Sequence, residues 1–274
     1  HYRWAESLPV YLKLGRHDTL SDERRAELLI AAAAIKQYHF EQRREDENLI
    51  EEAVALAPEH PDVLCGLGRR KLDAKDFEAA NAFARRALAV REDHVNAYVL
   101  LGDSAFEAGI PSKAEEAYQE GMRVRPGDSN PYQMLVRLAA RRNDADRLEH
   151  VIDLTERGAV AEPAYAAQIY VEAGYAFERA KRLPEAHEWY ARAIAADPLN
   201  PLGYRFKATA LLTAGETDAA RTVFEHLLTF DPAEAQAFFG LGWIAEAEED
   251  FAQAENWYDQ GAKTVSHYAG QFQT

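Results

Sequence analysis

Apolar residues recur at three- and four-residue spacing through most of this chain. In DVLCGLGRRKLDA, and again in DFEAANAFARRALAV just after it, apolar positions share one face and charged ones the other, the mark of amphipathic helices. Each stretch predicts a helix of roughly 12 to 14 residues. The pair then repeats. Its opening large residue stands at Leu64, Tyr98, Tyr132, Tyr170, Tyr204 and Phe238, at spacings of 34, 34, 38, 34 and 34. A small residue follows at Ala80, Ala114, Ala186, Ala220 and Ala254, and four positions on stands Ala84, Tyr118, Tyr190, Phe224 or Tyr258. Pro58, Pro126, Pro198 and Pro232 close units, because proline cannot continue a helix. A helix pair cannot bury its apolar face alone, so neighbouring pairs are expected to stack.

HEWYARAIAADPLNPLGY, at His187 to Tyr204, is matched 68 residues later by ENWYDQGAKTVSHYAGQF. Tyr190 and Tyr258 therefore occupy the recurrent aromatic position and are expected in the core. Trp189 is expected to pack against the following unit.

These residues resemble the tetratricopeptide repeat family. The Leu-Gly pairs Leu67-Gly68, Leu101-Gly102 and Leu241-Gly242 match its pattern, as do the small residues Ala87, Gly121, Ala193 and Gly261. The resemblance implies an all-α, right-handed superhelical solenoid of about seven helix-turn-helix repeats. The units are 27–60, 61–94, 95–128, 129–162, 167–200, 201–234 and 235–268. Helix pairs are expected to begin near residues 21, 61, 95, 129, 166, 201 and 235. Residues 1–20 read as an N-terminal extension or cap, 21–268 as the array, and 269–274 as the start of a truncated further repeat. The unit at 129–162 departs most, with Leu148 at the small position and four extra residues, Pro163 to Ala166, after it. No polar capping helix follows the last unit, so an exposed C-terminal edge is expected, open to a second copy of the chain.

Composition narrows the function. The 274 residues carry 46 acidic and 31 basic side chains, a net charge of -15. That argues against nucleic acid and anionic membrane as partners, since both need a basic surface. One cysteine, Cys65, excludes an internal disulfide and a multi-cysteine zinc site. No apolar run is long enough to span a bilayer. Abundant Ala and Arg point to a bacterial source, in the cytoplasm or the periplasm.

No catalytic or metal constellation stands out, and no cofactor is implied. None of the nine histidines pairs with another at helical ligand spacing. Phosphate-binding glycine motifs are absent, and the acid-rich runs read as solvated faces. The chain therefore reads as a non-catalytic scaffold that binds a protein or peptide.

In the resembling family the first helices line a concave groove through repeat positions 2, 5, 6, 9, 12 and 13. Here position 9 reads Arg69, Asp103, Arg137, Tyr175, Thr209 and Trp243, and position 13 reads Asp73, Glu107, Arg141, Arg179, Thr213 and Ala247. The family's clamp for chaperone-tail carboxylates is not supplied by any three successive units. Arg69, Asp103 and Arg137 alternate in sign and are expected to neutralise one another, whereas Arg179 and Arg205 lack acidic neighbours at equivalent positions. An extended peptide with an acidic residue is thus expected across Gln133, Arg137, Arg141, Gln168, Tyr175, Arg179 and Arg205. Phe239 and Trp243 would take an aromatic or aliphatic side chain. Two further readings stay open: a substrate-selecting accessory region of a larger enzyme such as a glycosyltransferase, and a periplasmic assembly subunit of a secretion, pilus or polysaccharide-export machine.

Overall fold

The structure, a computed structural model, describes residues 2–39, 43–142 and 148–271. Among these there are fifteen α-helices and no strand, an all-α repeat fold. The chain forms two compact units, 1–138 and 139–274.

The first unit opens with α1 (Tyr2–Gly15), which lies against α2 (Asp22–His39). Three helix pairs follow: α2 with α3 (Arg43–Leu56), α4 (Pro61–Asp73) with α5 (Phe77–Val90), and α6 (Val95–Glu107) with α7 (Pro111–Val124). The next helix, α8 (Asn130–Arg142), carries the chain into the second unit. Leu8 of α1 is buried in one core with Leu29, Ile50, Ala53 and Val63, so this helix shields the first pair. A second cluster joins Leu64 and Leu72 to Ala80, Ala84, Ala97 and Leu100.

The second unit contains α9 (Leu148–Ala161), a 3-10 turn at Pro163–Tyr165, and α10 (Ala166–Arg179) paired with α11 (Leu183–Ala196). Two further pairs are α12 (Pro201–Thr213) with α13 (Thr217–Phe230) and α14 (Ala235–Ala247) with α15 (Phe251–Gln271). Tyr204, Leu211, Phe224, Leu227, Leu241 and Ile244 form its main core. Ser266 stands where other repeats have proline, and α15 runs unbroken to Gln271.

The pattern has direct steric causes. Gly102, Gly174 and Gly242 sit beneath the rings of Tyr118, Tyr190 and Tyr258, and a Cβ at any of the three would overlap the ring. The small residue of the first helix thus makes room for the aromatic of the second. In the five pairs α4–α5, α6–α7, α10–α11, α12–α13 and α14–α15 the turn uses a left-handed residue, supplied by Gly109 and Gly215 and, at higher cost, by Lys75, Lys181 and Glu249. That residue lets its own amide and the next one fold back, as in Lys75 N–H to the Leu72 carbonyl and Asp76 N–H to the Lys71 carbonyl, both 2.8 Å. Between repeats, the hydroxyls of Tyr132 and Tyr204 donate to the carbonyls of Pro126 and Pro198, each at 3.2 Å.

Tyr190 is fully buried, and Trp189 is 6% exposed. Trp189 packs against Tyr170 and Phe177, at ring distances of 5.7 and 6.3 Å. Both belong to α10, so the indole faces its own repeat rather than the following one. Trp257 does the same against Phe238, at 6.2 Å. The residue one place before the core aromatic lies on the side of the second helix turned toward its own first helix. Arg192, close by on α11, covers the Tyr170 and Trp189 rings at 4.6 and 4.3 Å and pairs with Glu156 at 2.7 Å.

Candidate functional site

The first helices of the second unit present a connected cluster of rings and guanidinium groups. On α10, Arg179 lies over the Tyr175 ring at 5.9 Å. On α12, Arg205 lies over Phe206 at 5.3 Å. Tyr175 meets Phe206 edge-on at 6.5 Å, and Phe206 stacks on the buried Tyr190 at 6.1 Å. Tyr190 in turn donates its hydroxyl to Glu178 at 2.7 Å. Burial and this bond push the Tyr190 phenol well above its usual range. The two guanidinium groups therefore rest on a floor anchored in the repeat core, which limits the freedom lost on engaging a ligand.

Neither Arg179 nor Arg205 has a carboxylate within ion-pair distance among the described residues. Arg205 does act at longer range on Glu234, the cap of α14: burial pushes that carboxyl up and the Arg205 charge draws it back. Past Arg205, α14 carries Phe239 and Trp243, 52% and 50% exposed, one turn apart on the same face. Phe239 leans on Tyr258 of α15 at 6.1 Å.

The first unit treats its equivalent positions differently. Arg69 pairs with Asp103 at 2.5 Å, and Asp103 also accepts the Tyr118 hydroxyl at 2.7 Å. Burial and Asp103 push the Tyr118 phenol up, while the charges of Arg137 and Arg69 oppose that shift. Arg137 thus faces an acid already engaged within its own unit.

Of the sequence candidates, Tyr175, Arg179 and Arg205 come together through Phe206, which sequence reasoning missed. Phe239 and Trp243 follow on the neighbouring helix. Gln168 begins α10 half-buried, its Oε1 without a hydrogen-bond partner. Gln133 and Arg137 belong to α8 within the first unit. Arg141 is a residue of α8 whose side chain lies outside the described residues.

Among the described residues, one side-chain group offers metal-ligand spacing. Glu27, His60 and Asp62 place ligand atoms within 4.8 Å of one another. Yet His60 Nδ1 accepts the Asp62 backbone N–H at 3.3 Å, capping α4. Its proton then sits on Nε2, which faces Glu27 at 3.4 Å. His94 stands at the equivalent position before α6 but makes no side-chain cap: Arg91 contacts its Nδ1, and its Nε2 lies 3.3 Å from Asp62. Arg91 also approaches Asp62 at 3.8 Å. A dication would have to displace a cap and sit beside a guanidinium, so the trio reads as a cap-and-charge network joining successive repeats. Burial and the Asp62 charge push the nearby Cys65 thiol up to about 12, which leaves almost no thiolate at neutral pH.

Two tetratricopeptide repeat family models match, one over residues 71–139 and one over 134–201 and 207–267. The chain belongs to the tetratricopeptide repeat family. As such it is a protein-interaction scaffold. It is 23% identical over 220 residues to human protein O-mannosyl-transferase TMTC3, which covers 79% of this chain and 20% of that protein. The chain thus spans about a fifth of that relative's length. A stretch of 66 residues, 24% of this chain and 13% of the relative, is 38% identical to the tetratricopeptide repeat and J domain-containing co-chaperone DNJ1 of Cryptococcus neoformans. Yeast Tom70 superposes with a TM-score of 0.74 at 18% identity, over 98% of this chain and 57% of that one. The type IV pilus biogenesis factor PilW gives 0.53 at 17% identity, over 73% and 91%. At these identities the solved structures speak for the repeat fold alone. No described helix is long and apolar enough to cross a membrane.

Proposed function

We propose that the second unit holds an extended peptide across the first helices α10, α12 and α14, with Arg179 and Arg205 taking an acidic residue of that peptide. Tyr175 and Phe206 form the floor beneath the acid, and Phe239 and Trp243 meet the apolar part of a neighbouring side chain. The observation that supports this most is the contrast between units. Arg69 is neutralised by Asp103, whereas Arg179 and Arg205 have rings beneath them and, among the described residues, no carboxylate within ion-pair distance. In a chain of charge -15, two such cations in one cluster favour a carboxylate ligand over a polyanion.

The test begins with affinity capture and mass spectrometry of the bound segment. Arg179→Ala and Arg205→Ala are then titrated calorimetrically against that segment, beside Lys263→Ala, a substitution at an exposed side chain of α15. Arg192 is unsuitable as the control because it is built into the Trp189 cluster. Each site variant is expected to lose about 1.5–3 kcal/mol, roughly ten- to a hundredfold. Wild-type affinity in both variants would place the interaction on another surface.

The O-mannosyl-transferase relatives favour one further reading, since their match extends over 79% of this chain. The same face would then present an acceptor polypeptide to an enzyme. Hexose on the captured segment supports that reading, and an unmodified segment supports a plain scaffold.

A further inference from the structure

The α14 end of this face has the opposite electrical character to the arginine cluster. From Ala235 to Thr264 the only basic side chain is Lys263, which already pairs with Asp259. The same stretch carries Glu246, Glu248, Glu249, Asp250 and Glu255 besides. Glu248 is matched by Arg221 at 2.5 Å. Glu246 has no cation within ion-pair distance among the described residues, and it lies one turn past Trp243 on the face that carries Phe239. Its nearest polar influence is on the Tyr258 hydroxyl, a neutral group that leaves the carboxylate charge unmatched. Two half-exposed aromatic rings beside an uncompensated carboxylate attract a cation, through the negative faces of the rings and the charge. A bare aliphatic or aromatic side chain would leave that charge as it is.

We infer that Phe239, Trp243 and Glu246 form a subsite for a basic side chain, so that the peptide on this face carries an acid and a base in fixed register. This rests on the peptide-binding reading above and sharpens it. A lysine or arginine suits the subsite because its methylene stem covers the rings while its charge reaches Glu246. The register follows from helix spacing. Packed helices lie about 8–10 Å apart, Trp243 and Glu246 stand about 6–10 Å further along their helix than Arg205 does along its own, and an extended chain advances about 3.3 Å per residue, so the base stands about three to four residues from the acid held by Arg205. The partner is thus a segment with opposite charges at that separation, and a uniformly acidic tail would be repelled at α14.

Random short peptides displayed on phage, selected against the 274-residue chain and sequenced, test this whether or not the natural partner has been identified. Selection is repeated on Glu246→Gln, Trp243→Leu and Arg205→Ala. The expected wild-type outcome is enrichment of peptides pairing Asp or Glu with Lys or Arg about three to four residues away. Glu246→Gln and Trp243→Leu should each lower the basic preference about tenfold and leave the acidic one intact. Arg205→Ala should do the converse. Enrichment of an acid with Leu or Phe at the second position would overturn this inference and leave the peptide-binding reading standing. A basic preference that survives both α14 variants would overturn it too. Selected peptides with no acidic preference, or no selected pattern at all, would overturn both.

Discussion

Gly174→Ala probes the packing that supports the arginine cluster. An added Cβ at Gly174 overlaps the Tyr190 ring. That ring has little freedom to swing away: it is fully buried, stacked on Phe206, and tied by its hydroxyl to Glu178. Overpacking a core in this way costs about 1–3 kcal/mol. Alanine returns about 1 kcal/mol as a better helix former than glycine. With the ring held at three points the upper part of the range applies, and the net expectation is a loss of about 1–2 kcal/mol. A unit of this size loses about 2–4 °C in melting temperature per kcal/mol. Gly66→Ala is the internal comparison. Its Cβ would meet chiefly Cδ1 of Ile30, at 2.9 Å, the far end of a flexible side chain. Ile30 gives way, and the helix-propensity gain leaves this variant neutral or more stable by up to about 1 kcal/mol. Thermal and urea unfolding followed by circular dichroism measures both. A Gly174→Ala protein as stable as the wild type, or equal losses in the two variants, would refute the packing argument.

Two other substitutions follow from the backbone and the charge network. Lys181 holds the left-handed turn position at φ 60°, where Gly109 and Gly215 stand in other repeats, so Lys181→Gly should raise stability by up to about 1 kcal/mol in scanning calorimetry; a lower melting temperature would contradict this. Burial works to raise the Asp62 carboxyl, but His94 at 3.3 Å, with Arg91 and His60, outweighs it and holds the group below its ordinary 3.8. A depressed carboxylate stabilises the fold above its unfolded value and loses that contribution as pH falls through the folded one. The stability gap between wild type and Asp62→Asn, read from urea midpoints, should therefore close below pH 3.8; a gap unchanged down to the most acidic folded sample would show that Asp62 is not held by charge.

The repeat was legible in the sequence because its positions are set by contacts that side-chain size alone dictates. Gly174 under Tyr190 and Gly242 under Tyr258 leave no room for alternatives, so a size pattern suffices to read them. The direction of Trp189 was less legible. Spacing shows that a residue flanks the core aromatic but not which neighbouring helix it meets, and the indole turned to Tyr170 and Phe177. Phe206 escaped for a different reason. It stands at position 6, a groove position in the family, yet its role lies in joining Tyr175, Tyr190 and Arg205, a relation among three helices that no single spacing records. The signal available was an aromatic residue directly beside an arginine at a groove position.

A repeat array uses its small and aromatic positions to stack, and the groove positions left over are free to vary. In the first unit they close on themselves: Arg69, Asp103 and Tyr118 satisfy one another, so a ligand there would have to break an ion pair and a hydrogen bond before gaining either. In the second unit the arginines are oriented by rings, which hold a guanidinium in place without neutralising it. Orientation without neutralisation is the condition for a charge to act on a partner, since the side chain is already ordered and its charge still unmatched. The same condition holds on α14 with the sign reversed, where Glu246 stands beside Trp243 with no cation within ion-pair distance among the described residues. Selectivity on this face then comes from the separation of two opposite charges, which neighbouring repeats set through the distance between α12 and α14.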